Sequence, residues 1–174
     1  MGRFELQPHL VGDLVELRPL RSEDWEELFA VAADPLIWEQ HPARDRYQEG
    51  VFREFFDGAL ESGGAFAVID RATRSIIGST RYLDFVSERS EIEIGFTFLA
   101  RSYWGGKYNA EMKRLMLDHA FRFVDSVVFL VGLENIRSQK AVERIGGIRV
   151  GLRDGILRGK PVVHVVYQVR KHQG

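Results

Sequence analysis

The segment with the most chemical content runs from Phe96 to Glu111. There an apolar stretch gives way to Arg101-Ser102-Tyr103-Trp104-Gly105-Gly106-Lys107-Tyr108-Asn109 and then to helical spacing. Glycines at a strand-to-helix turn let backbone N–H groups converge, and a helix N-terminus adds partial positive charge, so the turn can cradle a phosphate or pyrophosphate. The same pair also serves a ligand-free tight turn, and the local sequence leaves both readings open. Neither G-x-x-x-x-G-K-S/T nor G-x-G-x-x-G occurs, which excludes the P-loop and dinucleotide fingerprints. The five histidines (His9, His41, His119, His164, His172) show no i, i+4 pairing and no carboxylate at ligand spacing, so no metal centre is expected. With no cysteine, the chain offers no thiolate nucleophile, disulfide or Cys-ligated zinc.

An α/β (α+β) framework is needed to position that turn. The chain has 174 residues, and typical domains of about 150 residues make residues 1–174 one expected domain. Hydrophobic residues are 45% of it, so it can bury a core, and its formal charge of -1 gives no global attraction to nucleic acid or an anionic membrane. No secretory pattern opens the sequence and no 18-residue apolar run follows, so a soluble cytoplasmic protein is expected. Leu14 to Arg18 reads as a strand ending at Pro19, with Ser22 as N-cap of a helix stopping near Asp34-Pro35. Trp38 to Tyr47 reads as loop and Val51 to Leu60 as helix. Ala65–Ile69, Ile76–Leu83 and Ile92–Leu99 form an antiparallel meander, and Asn109–Val124 is a helix with a wide apolar face. Val127–Val131 is a buried strand. Ile136–Ile145 is a helix ended by Gly146-Gly147, and Ile148–Leu152 and Val162–Val169 close the chain as a hairpin around Asp154-Gly155 to Gly159-Lys160. The order is β-α-α-β-β-β-α-β-α-β-β, with seven strands.

The strand Glu93-Ile94-Gly95-Phe96, the turn Tyr103-Trp104-Gly105 followed by Tyr108 and Glu111, and Asn135-Ile136-Arg137-Ser138-Gln139-Lys140-Ala141 ending in Ile145-Gly146-Gly147 together resemble the GNAT superfamily of acyl-CoA-dependent N-acyltransferases. The resemblance is greatest to the branch containing the ribosomal-protein N-terminal acetyltransferases, and covers nearly the whole chain. It implies a mixed, mostly antiparallel seven-stranded sheet flanked by helices. It also implies acetyl-CoA in a V-shaped opening between the fourth and fifth strands, its pantetheine pairing with the Phe96, Thr97 and Phe98 backbone like an added strand. The pyrophosphate would lie on Trp104, Gly105, Gly106, Lys107, Tyr108 and Asn109. The family turn usually reads Q/R-x-x-G-x-G/A, whereas here Lys107 stands where the central glycine is expected and Asn109 where a small residue is.

The resemblance also implies roles. Glu93 occupies the position of a general base in histone-acetylating relatives. In strand alternation it shares a face with Glu91 and Gly95, so a solvent-facing row of carboxylates is the other reading. Ser138 matches a residue placed near the CoA sulfur, where it would protonate or stabilise the thiolate, or else it is a polar group at a helix start. Asn135 is a contact for the CoA arm or an N-cap. Tyr82, Tyr108 and Tyr167 carry phenols but read as core, and His119 reads as packed. The loop with Trp38, His41, Arg44, Arg46 and Tyr47 corresponds to the acceptor side in relatives, with Trp38, His41 and Arg44 as candidate substrate contacts. The expected activity is direct acetyl transfer from acetyl-CoA to a primary amine, either a protein N-terminus or a small molecule. A noncatalytic CoA-binding module is the alternative. The exposed apolar faces of the final hairpin are compatible with a homodimer.

Overall fold

A computed structural model describes residues 3–172. One mixed sheet contains eight strands: β1 (Leu10–Val11), β2 (Val15–Pro19), β3 (Ala65–Asp70), β4 (Ile76–Val86), β5 (Glu91–Leu99), β6 (Ser126–Gly132), β7 (Ile148–Leu157) and β8 (Lys160–Arg170). Their spatial order is β1-β2-β3-β4-β5-β6-β8-β7. Neighbours are antiparallel except β5 and β6, which run parallel. The helices are α1 (Trp25–Ala32), α2 (Glu49–Ser62), α3 (Lys107–Ala120) and α4 (Ile136–Arg144). No helix among the described residues is long and apolar enough to cross a membrane.

Each face of the sheet has its own apolar layer. Strand β3 is buried along its whole length because Phe66 and Val68 join Ile92, Ile94, Met112, Met116 and Phe129 on one side, while Ala65, Ala67 and Ile69 join Leu28, Phe52 and Phe56 on the other. A strand covered on both faces loses polar alternation and reads as a continuous apolar run.

Several sequence expectations need correction. Eight strands replace seven because Leu10–Val11 pairs with Glu16 and Leu17 of β2. Ser22 is not an N-cap. It opens a 3-10 turn, Ser22–Asp24, and the Asp24 carboxylate accepts the Arg21 N–H at 2.8 Å while taking a two-pronged contact from Arg18. The third helix begins at Lys107 and ends at Ala120, both earlier than its apolar spacing suggests. The final hairpin runs straight through Asp154-Gly155 and reverses at Arg158 (φ 50) and Gly159 (φ 80). Two adjacent positive φ values make a tight two-residue turn whose twist suits long strands.

Glu111, on the first turns of α3, is the anchor of this side of the fold. Its carboxylate accepts backbone N–H groups from Asp13, Leu14 and Val15 at 2.7–2.8 Å. Gly12 makes room for it, since a Cβ there would fall 2.5 Å from the Glu111 carboxyl carbon. The helix that follows the glycine turn is thereby locked to β2.

Candidate active site

Strands β5 and β6 pair only from Glu91–Glu93 to Ser126–Val128, and beyond that register they part. The cause lies in β5. Between Gly95 (opposite Arg81) and Phe98 (opposite Ser79) it carries one residue more than β4, and Phe96 takes a left-handed φ of 53. Such a bulge bends its strand and increases local twist. Backbone of β5 from Ile94 onward therefore faces an opening rather than a neighbour.

At one end of the opening lies a cavity of about 380 Å³ lined by Thr97, Phe98, Leu99, Trp104, Gly105, Gly106, Lys107, Asn109, Lys113, Arg137, Ser138 and Arg144. Gly105 (φ 94) and Gly106 (φ 149) occupy backbone regions that L side chains avoid. The first intrahelical bond of α3 runs from Ala110 N–H to Gly106 O at 3.0 Å. The amides before it have no intrahelical acceptor, and they open onto a wall that also carries Lys107, Arg137 and Arg144. Trp104 is fixed by its Nε1–H bond to Leu99 O (2.9 Å), with the Arg137 guanidinium 3.6 Å from its ring.

A narrower cavity of about 80 Å³ continues from Thr97 and Ser138 past Gly95, Phe96, Asn135, His41 and His164. It meets a third, of about 390 Å³, at His41 and Pro42, with Arg44 and Glu134 on the rim. The turn and α4 residues thus stand at one end of a path and the α1–α2 loop at the other.

The predicted residues are distributed along this path, with three exceptions: Glu93 lines none of the three cavities, although its strand neighbour Gly95 does, and Tyr108 and Trp38 also stand off it. Tyr108 does not line it. Its ring packs edge-to-face on Tyr103 at 4.8 Å, whose hydroxyl bonds Asp70, because the first turn of α3 aims position 108 at the sheet. Trp38 presents almost no surface to an acceptor. It is 1% exposed, its Nε1–H bonded to Ala32 O, and it stands behind His41 and against Phe98. Asn135 caps α4, its side chain accepting the Ser138 N–H at 3.4 Å, and also lines the narrow cavity. Arg44 is exposed in an ion pair with Glu134 at 2.8 Å. The phenols of Tyr82 and Tyr167 are engaged by Met116 O and the Glu143 carboxylate, and His119 is packed beside Phe4 with its Nε2 on Glu5 O.

Glu93 is not part of a solvated row, being only 7% exposed. Burial, reinforced by the field of Asp84 across the strand, pushes its carboxyl up to about 7, against the pull of Arg153. Asp84 reaches it from a bulge in β4, where its φ is 53. Glu93 Oε2 lies 3.1 Å from where a Gly95 Cβ would sit, so glycine there leaves room beside the carboxyl, and Gly95 itself lines the narrow cavity.

His41 Nδ1 accepts the Ala43 N–H at 2.9 Å, and burial together with Arg46, His164 and Arg137 holds its pKa down at about 3, so the ring is neutral. Lys113 was missed in the sequence. It is buried, donates to Thr97 Oγ1 at 3.1 Å, and is drawn down to about 7 by desolvation. Its position among Met112 and Met116 on the helix was the available signal. Arg46 and Arg81 are also buried, beside Phe55.

The overall fold is similar to that of several solved acetyltransferases. A GCN5-related N-acetyltransferase from Brucella melitensis superposes with a TM-score of 0.82 at 22% identity, covering 94% of this chain and 79% of that one. Mycobacterium smegmatis RimJ in complex with CoA-disulfide gives 0.69 at 19% identity over 90% and 81%. The microcin C7 self-immunity acetyltransferase MccE, in complex with acetyl-CoA and AMP, gives 0.77 at 14% identity over 95% and 98%. These likenesses are of fold. Residues 15–148 match the acetyltransferase (GNAT) domain family, and the chain belongs to it.

Proposed function

We propose that the protein transfers an acetyl group from acetyl-CoA directly to a primary amine. The observation that carries this is the path through the split sheet: a phosphate-suited turn at one end, and a buried carboxyl with its pKa near neutrality next to Gly95, which lines the narrow middle. Bound acetyl-CoA would supply a thioester activated for acyl transfer. The Gly105–Asn109 turn, with Lys107, Arg137 and Arg144, holds the pyrophosphate, and the unpaired backbone of Phe96, Thr97 and Phe98 holds the amide-bearing arm.

Glu93 takes the proton of the incoming ammonium. A base whose pKa lies near the working pH combines adequate ionisation with adequate strength. Ser138, at the junction of the two cavities, stabilises or protonates the thiolate, and Asn135 orients it by capping its helix. The neutral His41 and the Arg44 rim border the acceptor. Exposed Ile148, Leu152 and Ile156 on edge strand β7 support a homodimer.

The test is thiol release from acetyl-CoA over a panel of peptides and small amines, with Glu93→Gln and Ser138→Ala run in parallel. Turnover on one acceptor class, cut tenfold or more in either variant, is expected. Tight acetyl-CoA binding with no turnover on any acceptor would replace this reading with a CoA-binding module.

A further inference from the structure

The acceptor face of the sheet holds two cations in an unusual setting. Arg46, from the α1–α2 loop, and Arg81, from β4, are each 8% exposed. Their guanidinium carbons stand 4.7 and 5.5 Å from the centre of the same ring, Phe55. Arg81 also stacks on Phe96 at 4.0 Å, and Arg46 lies 5.3 Å from the Trp38 ring. Neither forms an ion pair among the described residues. Asp45, the carboxylate whose field favours charged Arg46, is bonded to Arg158 at 2.6 Å. Arg81 Nε is buried with no hydrogen-bond partner at all. Burial lowers both pKa values to about 10, and Arg81 adds to the lowering at Arg46.

Two like charges taken out of water next to each other, with a donor left idle, are a costly arrangement for the fold alone. The Phe55 and Phe96 rings lie against the guanidiniums without offering an oxygen acceptor, and no carboxylate among the described residues pairs with either, so their N–H edges keep unmatched donors. Those edges form the planar fork that matches a carboxylate or phosphate. Phe96 lines the narrow cavity, and Arg81 is paired in register with Gly95, two residues along the same strand face from Glu93.

We propose that Arg46 and Arg81 bind an oxyanion carried by the acceptor, so that the substrate is a small amine bearing a carboxylate or phosphate rather than a polyamine or a neutral amine. The anion is held one register step from Glu93, toward which the amine end extends. That the anion is carried by the acceptor rests on the proposed transfer activity, whereas the anion site itself does not.

Two readouts test it. In thermal unfolding of the protein without acetyl-CoA, inorganic phosphate or malonate is expected to raise the midpoint of the wild type progressively, at constant ionic strength, and to leave Arg46→Met and Arg81→Met unmoved. Without anion, both variants are expected to unfold at or above the wild-type temperature, because an uncompensated buried charge has gone. An equal anion response in the variants, no response in the wild type, or variants that unfold well below it would overturn the site and make the arginines structural. In the transfer assay, amino acids are compared with their amides and phosphoethanolamine with ethanolamine. The anionic member of at least one pair is expected to have kcat/KM tenfold or more above its neutral partner, with the ratio falling to near one in Arg81→Met; which pair responds distinguishes carboxylate from phosphate. Equal kcat/KM within both pairs would overturn the proposal. Silence toward every amine, alongside a variant-sensitive anion response, would sink the transfer reading and leave the anion site standing.

Discussion

Glu93 combines a catalytic expectation with a thermodynamic signature. Its carboxyl titrates at about 7 in the folded protein against an ordinary 4.5, so between those values the native state holds a proton that the unfolded chain has lost. Stability contributed by this group is therefore present below pH 4.5 and declines as pH rises toward 7, by up to about 3 kcal/mol. Denaturant unfolding at pH 5 and pH 8 is expected to show this decline in the wild type and a flatter profile in Glu93→Gln. Acetyl transfer should rise through pH 7 as the base ionises, and the Gln variant should lose that inflection with a roughly 100-fold fall in kcat/KM on a lysine-like amine. An α-amine, about a tenth neutral already at pH 7, should lose less. The position of Glu93 was readable from the family-like strand, but its environment was not. Asp84 is adjacent to it only because β4 bulges. Lys113 and Arg81 were harder to find for a related reason: a single cation within an apolar stripe looks solvated until packing on both sides of the sheet is known.

At the scale of elements, the glycine turn depends on how α3 is held. Glu111 makes three charge-assisted bonds to backbone amides from the β1–β2 connection, two of them at 2.7 Å. Glu111→Gln can accept fewer of them, and the expected cost is about 2–4 kcal/mol in denaturant unfolding. Acetyl-CoA affinity should fall by less than the stability if the remaining α3 contacts keep the turn in place. Gly106→Ala separates the two effects. A Cβ at Gly106 meets no atom within 4 Å, so any loss is conformational: a φ of 149 suits alanine poorly, at roughly 1–3 kcal/mol. Calorimetric titration should show weaker acetyl-CoA binding by tenfold or more, with the rest of the fold intact. Most helices and strands were legible because their apolar periods are strong. The bulge at Phe96 was not, since nothing local favours a positive φ for phenylalanine. That conformation follows from β4 and β5 pairing out of step across Thr80.

Viewed as a whole, the sheet is two halves joined at a short seam. The β1–β5 half and the β6–β8 half share only the three parallel pairs from Glu91 to Glu93, and past them the cleft replaces a hydrogen-bonded ladder. A ligand that pairs with β5 and rests on α3 and α4 would connect elements from both sides of that gap. Because it binds the native chain and not the unfolded one, acetyl-CoA at 100 times its dissociation constant is expected to add about 2.7 kcal/mol, a rise of roughly 5–10 °C in melting temperature for a chain of this size. Hydrogen exchange distinguishes bridging from simple mass action. Uniform slowing would reflect global stabilisation alone. Bridging requires extra protection at the β5 amides from Ile94 to Leu99 and at the first amides of α3, above that of β2 and β3. Gly106→Ala should lose the α3 part of that protection first and keep the β5 part, because the turn and the strand hold different ends of the same ligand.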